Sequence, residues 1–101
     1  MANDITGNPL IIDTVMTTPI TTKTFTAYMI RYVGPSTVAG DQVSVQDKNS
    51  KVKWATVASG SNYVEESQFV KKHLIFEGLY VPTLVTGTVY VYVLDAVPIR
   101  T

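Results

Sequence analysis

The chain has 101 residues, 46% of them hydrophobic and only 16% charged, which fits a single small domain. Its eight basic and eight acidic residues cancel, so no net charge draws it to nucleic acid or to an anionic membrane. There is no cysteine, which excludes disulfides and thiolate metal sites. A weakly charged surface without net repulsion favours association, so we expect a homo-oligomer.

The first 14 residues predict an N-terminal arm, because residues 1–8 are small and polar apart from Ile5. The polar start lacks the basic region of a secretory signal, and no apolar run approaches the roughly 18 residues of a membrane span. Pro9 and the apolar burst at residues 10–12 are compatible with an edge strand. Residues 15–101 are then expected to form one β domain.

The first long strand is predicted at residues 25–33, after a threonine-rich segment that resists helix formation. One face of this strand would carry Tyr28, Ile30 and Tyr32, and the other Met29 and Val33. Both faces are largely apolar, which suits a strand covered on both sides. The pattern leaves open which face points into the core.

A β-hairpin is the clearest local prediction, with strands at residues 42–47 and 52–58. The turn between them contains aspartate and asparagine, which hydrogen-bond to their own backbone in turns. Alternation with polar neighbours places Val43, Val45, Val52 and Trp54 together on one buried face.

The segment at residues 63–76 is poorly amphipathic, and we expect a loop or extended crossover there, with a strand around residues 74–76. The last strand, at residues 88–93, alternates valines with a threonine and two tyrosines. Turn signals recur every eight to twelve residues or so, a spacing typical of sandwiches and barrels. The fold class is therefore all-β: a compact antiparallel β-sandwich or flattened barrel with an extended N-terminal arm.

Residues with catalytic chemistry are few. His73 is the only histidine, and its neighbours Lys71 and Lys72 would repel a metal ion. Nothing in the pattern pairs any of the acids near predicted loops, which are Asp41, Asp47, Glu65, Glu66 and Glu77. We therefore expect no enzyme, no catalytic residue, no metal and no cofactor.

The hairpin turn carries two weak resemblances to binding sites. Its start, Asp47-Lys48-Asn49, is similar to a calcium loop, but the glycine and the bidentate glutamate are missing at the required spacing. Lys51 and Lys53 beside Trp54 suggest a nucleic-acid stacking patch, although lysines also protect edge strands from aggregation. We favour a turn and edge protection over both sites.

Tyrosine is a favoured anchor of protein interfaces, and the chain has six. In the last strand, Val89, Val91 and Val93 supply a core face, which leaves Tyr90 and Tyr92 for a contact surface. The predicted interface candidates combine these tyrosines with the apolar residues of the arm: Ile5, Leu10, Ile11, Ile12, Tyr80, Tyr90 and Tyr92.

Several runs of the sequence resemble small virion structural proteins of tailed bacteriophages, over roughly residues 30–93. The resemblance lies in Tyr32-Val33-Gly34-Pro35, Ala39-Gly40-Asp41-Gln42-Val43, Asp47-Lys48-Asn49, Trp54, Ala58-Ser59-Gly60, Asn62-Tyr63, Gly78-Leu79-Tyr80-Val81-Pro82-Thr83-Leu84 and Gly87-Thr88-Val89-Tyr90-Val91. It implies a compact β domain in the virion, assembled in the host cytoplasm, that binds the major capsid protein or other virion proteins. It implies no catalytic residue.

We therefore expect a non-enzymatic capsid decoration or cement protein that binds neither nucleic acid nor membrane. A tail or neck component, such as a connector or fibre-associated domain, needs the same assembly physics and stays open. A carbohydrate-binding module with Trp54 and tyrosines as stacking platforms is a third reading. An enzyme would require acids, or His73 with an acid, to converge in a cleft.

Overall fold

The computed structural model describes residues 3–4, 7, 9–34, 37–69 and 72–94. Seven antiparallel strands and no helix lie among them, which confirms the all-β prediction. The strands are β1 (Leu10–Ile12), β2 (Thr21–Gly34), β3 (Gln42–Gln46), β4 (Val52–Val57), β5 (Tyr63–Gln68), β6 (Leu74–Leu84) and β7 (Thr88–Val93). With no helix there, the described part of the chain has none long and apolar enough to cross a membrane.

The long strand β2 lies at the centre of a single sheet with the order β1-β7-β2-β6-β3-β4. One edge of β2 pairs with β7, and the other pairs first with β6, over residues 21–27, and then with β5, over residues 29–34. Strand β6 continues beyond β2 to pair with β3, so it links the two parts of the sheet. All these pairings are antiparallel, as expected.

Side chains join β4 to β5. The Trp54 indole Nε1 donates to Ser67 Oγ at 2.9 Å, and the hydroxyls of Thr56 and Tyr63 lie 3.1 Å apart. The far end of the sheet is thereby brought back beside β5, around a common core. The structure is thus a single antiparallel sheet of seven strands around one core.

The core is built from inward-facing valines, isoleucines, leucines and aromatic rings. On β7 the prediction is confirmed: Val89, Val91 and Val93 are buried, while the alternate residues are half-buried on the outside. Phe25 and Phe76 stack inside the core, with ring centroids 5.0 Å apart. This interior supplies most of the stabilisation in such a fold.

The face of β2 that points into the core changes along the strand, so each face is buried over part of its length. Phe25 and Ala27 point inward at its start, but Ile30 and Tyr32 point inward further on. The change coincides with a register shift between Ala27 and Met29 opposite β7. An extra residue in one strand reverses the alternation that follows it.

The hairpin prediction is confirmed, with one correction. Val43, Val45 and Trp54 are buried, but Val52 is 55% exposed. The register shifts between Val45 and Gln46, so that Gln46 pairs with Val52 and Lys53 is the extra residue of β4. Val52 therefore does not continue the buried face.

The prediction of a loop or crossover at residues 63–73 is wrong for its first half, which forms β5. Its backbone pairs with β2 from Met29↔Gln68 to Gly34↔Tyr63. The strand lacks an apolar alternation because its inward side uses polar groups: the Tyr63 hydroxyl donates to Glu65 Oε1 at 2.7 Å. The expected strand at residues 74–76 is present as the start of β6.

The first strand belongs to the sheet rather than to a separate arm. β1 pairs with β7 from Leu10↔Val91 to Ile12↔Val89. Upstream, Asp4 forms a two-bond bridge to Ile11, and the Asn3 side chain hydrogen-bonds to the backbone of residues 13 and 14. The described residues of the predicted arm therefore pack against their own domain.

Candidate functional site

The outer face of the strands β1, β7, β2 and β5 is the most extensive surface that the register defines. Across its middle, Ile11 pairs with Tyr90, Tyr90 with Arg31, and Arg31 with Glu66. We call the following residues the outer tyrosine face: Ile11, Met29, Arg31, Val33, Val64, Glu66, Gln68, Thr88, Tyr90 and Tyr92.

The outer tyrosine face is nearly neutral. Arg31 and Glu66 are its charged residues, and they lie directly opposite each other on neighbouring strands. Its apolar side chains remain partly accessible to solvent: Tyr90 and Tyr92 are half-buried, and Val64 is exposed. A surface of rigid aromatic and aliphatic groups with few charges is typical of the centre of a protein interface.

A pocket of about 300 Å³ opens beside this face, where β5 gives way to β6. Its lining consists of Tyr28, Met29, Gln68, Phe69 and His73. Tyr28 is the extra β2 residue at the register shift opposite β7, and its carbonyl accepts a hydrogen bond from the Phe69 amide at 2.9 Å. The Tyr28 ring also contacts Tyr92, with centroids 6.1 Å apart, so the pocket and the face are continuous.

The predicted interface candidates separate into three groups. Tyr90, Tyr92 and Ile11 lie together on the outer tyrosine face. Leu10 and Ile12 are fully buried in the chain's own core, so their side chains are not available for contacts in the monomer.

Of the remaining two candidates, only Tyr80 can be placed, and it is separate from that face. Tyr80 pairs with Gln46 in the part of the sheet shared with β3, and its ring packs partly against the core. Ile5 lies outside the described residues.

Trp54 does not offer a stacking platform. It is only 9% exposed, belongs to the core cluster, and its indole N–H is used by Ser67. A sugar or base could not stack on the ring without displacing the core side chains that cover it. This location removes the basis of the carbohydrate and nucleic-acid readings that relied on Trp54.

Asp47 is a turn residue, as predicted. Its Oδ1 accepts hydrogen bonds from the amides of Asn49 and Lys51, at 2.9 and 3.0 Å. Burial alone would raise the pKa of Asp47, but these two bonds and the charges of Lys53 and Lys51 outweigh it and lower the pKa. Ser50 completes the turn in the left-handed region, with a φ of 61°.

Other buried polar groups also have structural partners. Tyr32 donates to the Thr86 carbonyl, and burial raises the pKa of this phenol, with further contributions from Asp41 and Tyr63. Thr37 donates to the carbonyls of Gly34 and Gly60. Within the described ranges, no buried side-chain polar atom is left without a hydrogen bond.

The described titratable residues can serve as metal ligands or as structural groups. No cluster of three or more histidine, aspartate or glutamate side chains suited to a metal occurs among the residues that the structure describes. Asp41 accepts a hydrogen bond from the Val38 amide at 3.0 Å, which fixes a loop. His73 is exposed and is one of the residues that line the pocket.

The pocket is the feature that sequence reasoning missed. Its residues come from the β2 register shift and from the excursion between β5 and β6, and neither has a distinct signature in the sequence. The available signal was the apolar pair Phe69-Val70 directly before the cationic Lys71-Lys72.

Comparison with known proteins finds no matching family model, no matching curated protein and no matching solved structure.

Proposed function

We propose that this chain is a non-enzymatic structural protein of a bacteriophage virion, a decoration or cement protein that stabilises the head. The observation that carries the proposal is the outer tyrosine face: a rigid, nearly neutral sheet surface with Tyr90 and Tyr92 at its centre. The similarity of the sequence to small virion proteins supplies the phage context.

The physical argument concerns what such a protein requires. A cement subunit must bind a repeated lattice without changing shape, so a preorganised β surface loses little entropy on docking. Neighbouring strands and Phe25–Phe76 stacking fix the sheet that carries the tyrosines. Tyrosine combines large contact area with few rotatable bonds and a polar tip, which suits a face that is soluble before it docks.

The test is binding to assembled heads of the phage that encodes the chain. Recombinant protein is mixed with heads lacking it, and the bound fraction is measured by co-sedimentation. We expect saturable binding that falls at least tenfold in the variant Tyr92→Asp, while Lys53→Asp on β4, away from the face, binds as the parent does. Absence of saturable binding, or equal binding by both variants, would contradict the proposal.

Copy number in the intact particle tests the head assignment separately. A protein that decorates the head lattice is present in roughly hundreds of copies, whereas a tail or neck ring contains about six or twelve, set by its cyclic symmetry. Quantitative mass spectrometry of purified particles measures this number. A count matching one ring would replace the head assignment with the tail or neck alternative.

A further inference from the structure

We infer that the pocket beside the outer tyrosine face is an anchor site for a neutral aromatic side chain of the protein partner. This inference names the chemistry of one contact and rests on the proposed function only for the source of that side chain. It is drawn from the pocket's position, lining and charge.

The pocket lies at a gap in the backbone pairing along one edge of β2. Met29 pairs with Gln68, but the next pairing on that edge of β2 is Ala27 with Leu74. The chain along this edge of β2 therefore leaves it after Gln68 and returns at Leu74, so the gap in the pairing lies opposite Tyr28. The bond from the Phe69 amide to the Tyr28 carbonyl fixes the point of departure.

The lining specifies the shape of the ligand. The Tyr28 and Phe69 rings and the Met29 thioether provide apolar walls, and sulfur and aromatic edges both favour contact with another aromatic ring. A volume of about 300 Å³ is at the lower limit for a small-molecule site. This space suits one large side chain better than an extended cofactor.

The lining also specifies charge. Among the residues that the structure describes, the lining contains no aspartate, glutamate, lysine or arginine, so none of them would compensate the desolvation of an ionic ligand. Gln68 and His73 supply the hydrogen-bonding groups, and both are exposed. They can bond to the indole N–H or phenol hydroxyl of an inserted ring, so tryptophan and tyrosine are the side chains expected.

The contact between Tyr28 and Tyr92 connects the pocket to the surface proposed for docking. A partner that covers Tyr90 and Tyr92 would lie across the mouth of the pocket. Interfaces draw most of their affinity from a few aromatic anchors inserted into such pockets. An aromatic residue from the partner would therefore add an anchor to a flat sheet contact.

The experiment is an NMR titration of the full chain with N-acetyl-tryptophanamide, N-acetyl-tyrosinamide and N-acetyl-alaninamide. The reporters are the Met29 methyl and the His73 ring protons. We expect saturable shifts with the two aromatic probes, with a Kd of roughly millimolar, and at least tenfold weaker binding of the alanine probe. Absence of saturable shifts with both aromatic probes would overturn the inference.

Two variants locate the binding. Gln68→Trp places an indole at the pocket and should abolish the shifts, while its matched control Gln42→Trp, at an exposed glutamine on β3, should keep them. His73→Ala, at an exposed position, should weaken the aromatic probes about fivefold without altering the amide spectrum of the sheet. Unchanged affinity in both pocket variants would overturn the assignment.

The probe titration needs no virion, so its result is independent of head binding. Heads that bind the parent but not Gln68→Trp would support both proposals. Probe binding without head binding would contradict the virion function and leave the pocket standing. Head binding without probe binding would contradict the pocket alone.

Discussion

The two faces of β7 have different surroundings, although their residues alternate along one short strand. Val91 lies between Leu10 and Ile30 and is fully buried, whereas Tyr90 lies between Ile11 and Arg31 and is half-buried. The inner row packs against side chains from the far part of the sheet. Among the described residues, the outer row has its partners on the neighbouring strands β1 and β2.

This difference separates two kinds of constraint. The inner face is fixed by close packing, where an added charge or a lost methyl group is costly. The outer face contributes less to stability, and its apolar and aromatic composition is more than solubility requires. The outer face is the one proposed to dock, so substitutions on the two faces should affect different measurements.

The largest effect is expected from Val91→Asp compared with Tyr92→Asp. A carboxylate at the position of Val91 would be buried without a partner, at a cost of about 4 kcal/mol or more, so most of the protein should be unfolded. Tyr92→Asp should cost about 1–2 kcal/mol and remain folded. Urea denaturation followed by circular dichroism measures both, and equal losses would show that the faces are not distinct.

The second comparison sets Trp54 against Tyr28, two large aromatic residues on opposite sides of the sheet. Trp54→Ala should destabilise by about 3–5 kcal/mol, because it empties part of the core and leaves Ser67 without its donor. Tyr28 is 37% exposed, and Tyr28→Ala should cost about 1 kcal/mol. Thermal unfolding provides the measurement; a mild effect at Trp54 would return that ring to the candidate binding surfaces.

The inner and outer rows of β7 could be predicted from sequence, as could the β3–β4 hairpin. Both rely on local signals: strict alternation in residues 88–93, and an aspartate at a turn with valines on either side. Local patterns of this kind specify strands and turns because side-chain direction follows the period of two. They also identified Tyr90 and Tyr92 as outward-facing.

The faces of β2 could not be assigned, because the inward face changes at Tyr28. A register shift is a property of two paired strands, and alternation in one strand does not reveal it. β5 was missed for a related reason: its inward Glu65 and Ser67 are satisfied by Tyr63 and Trp54 from other positions. The pocket depends on both features, so it was outside the reach of sequence patterns.

The third prediction concerns Gly78 on β6. Phe76 and Leu79 are both buried although they are three residues apart, so the side of β6 that faces the core changes at this position. Its φ of 90° is unfavourable for other residues, and a Cβ there would lie 2.7 Å from the Thr21 carbonyl. Gly78→Ala should therefore cost about 2–3 kcal/mol. The control Gly60→Ala, with open space around its Cβ, should stay within about 0.5 kcal/mol by chemical denaturation.

The smallest effect is expected at Asp47, a buried polar residue on the hairpin that carries the inner Val43 and Val45. Asp47→Asn keeps an oxygen for the amides of Asn49 and Lys51 but removes the charge. Charge-assisted hydrogen bonds are stronger than neutral ones, so the variant should be less stable at pH 7 by about 1 kcal/mol. Urea midpoints measured across a pH series would show the difference.

The sign of the pH dependence follows from the lowered pKa of Asp47. A carboxyl group with a lower pKa in the folded state than in the unfolded chain binds fewer protons when folded, so it stabilises the fold above its unfolded pKa of about 4. That stabilisation is lost as the pH falls through the folded pKa. The stability gap between the parent and Asp47→Asn should therefore shrink as the pH falls below about 4 and close only below the folded pKa, whereas a gap independent of pH would mean that packing, and not charge, holds the turn.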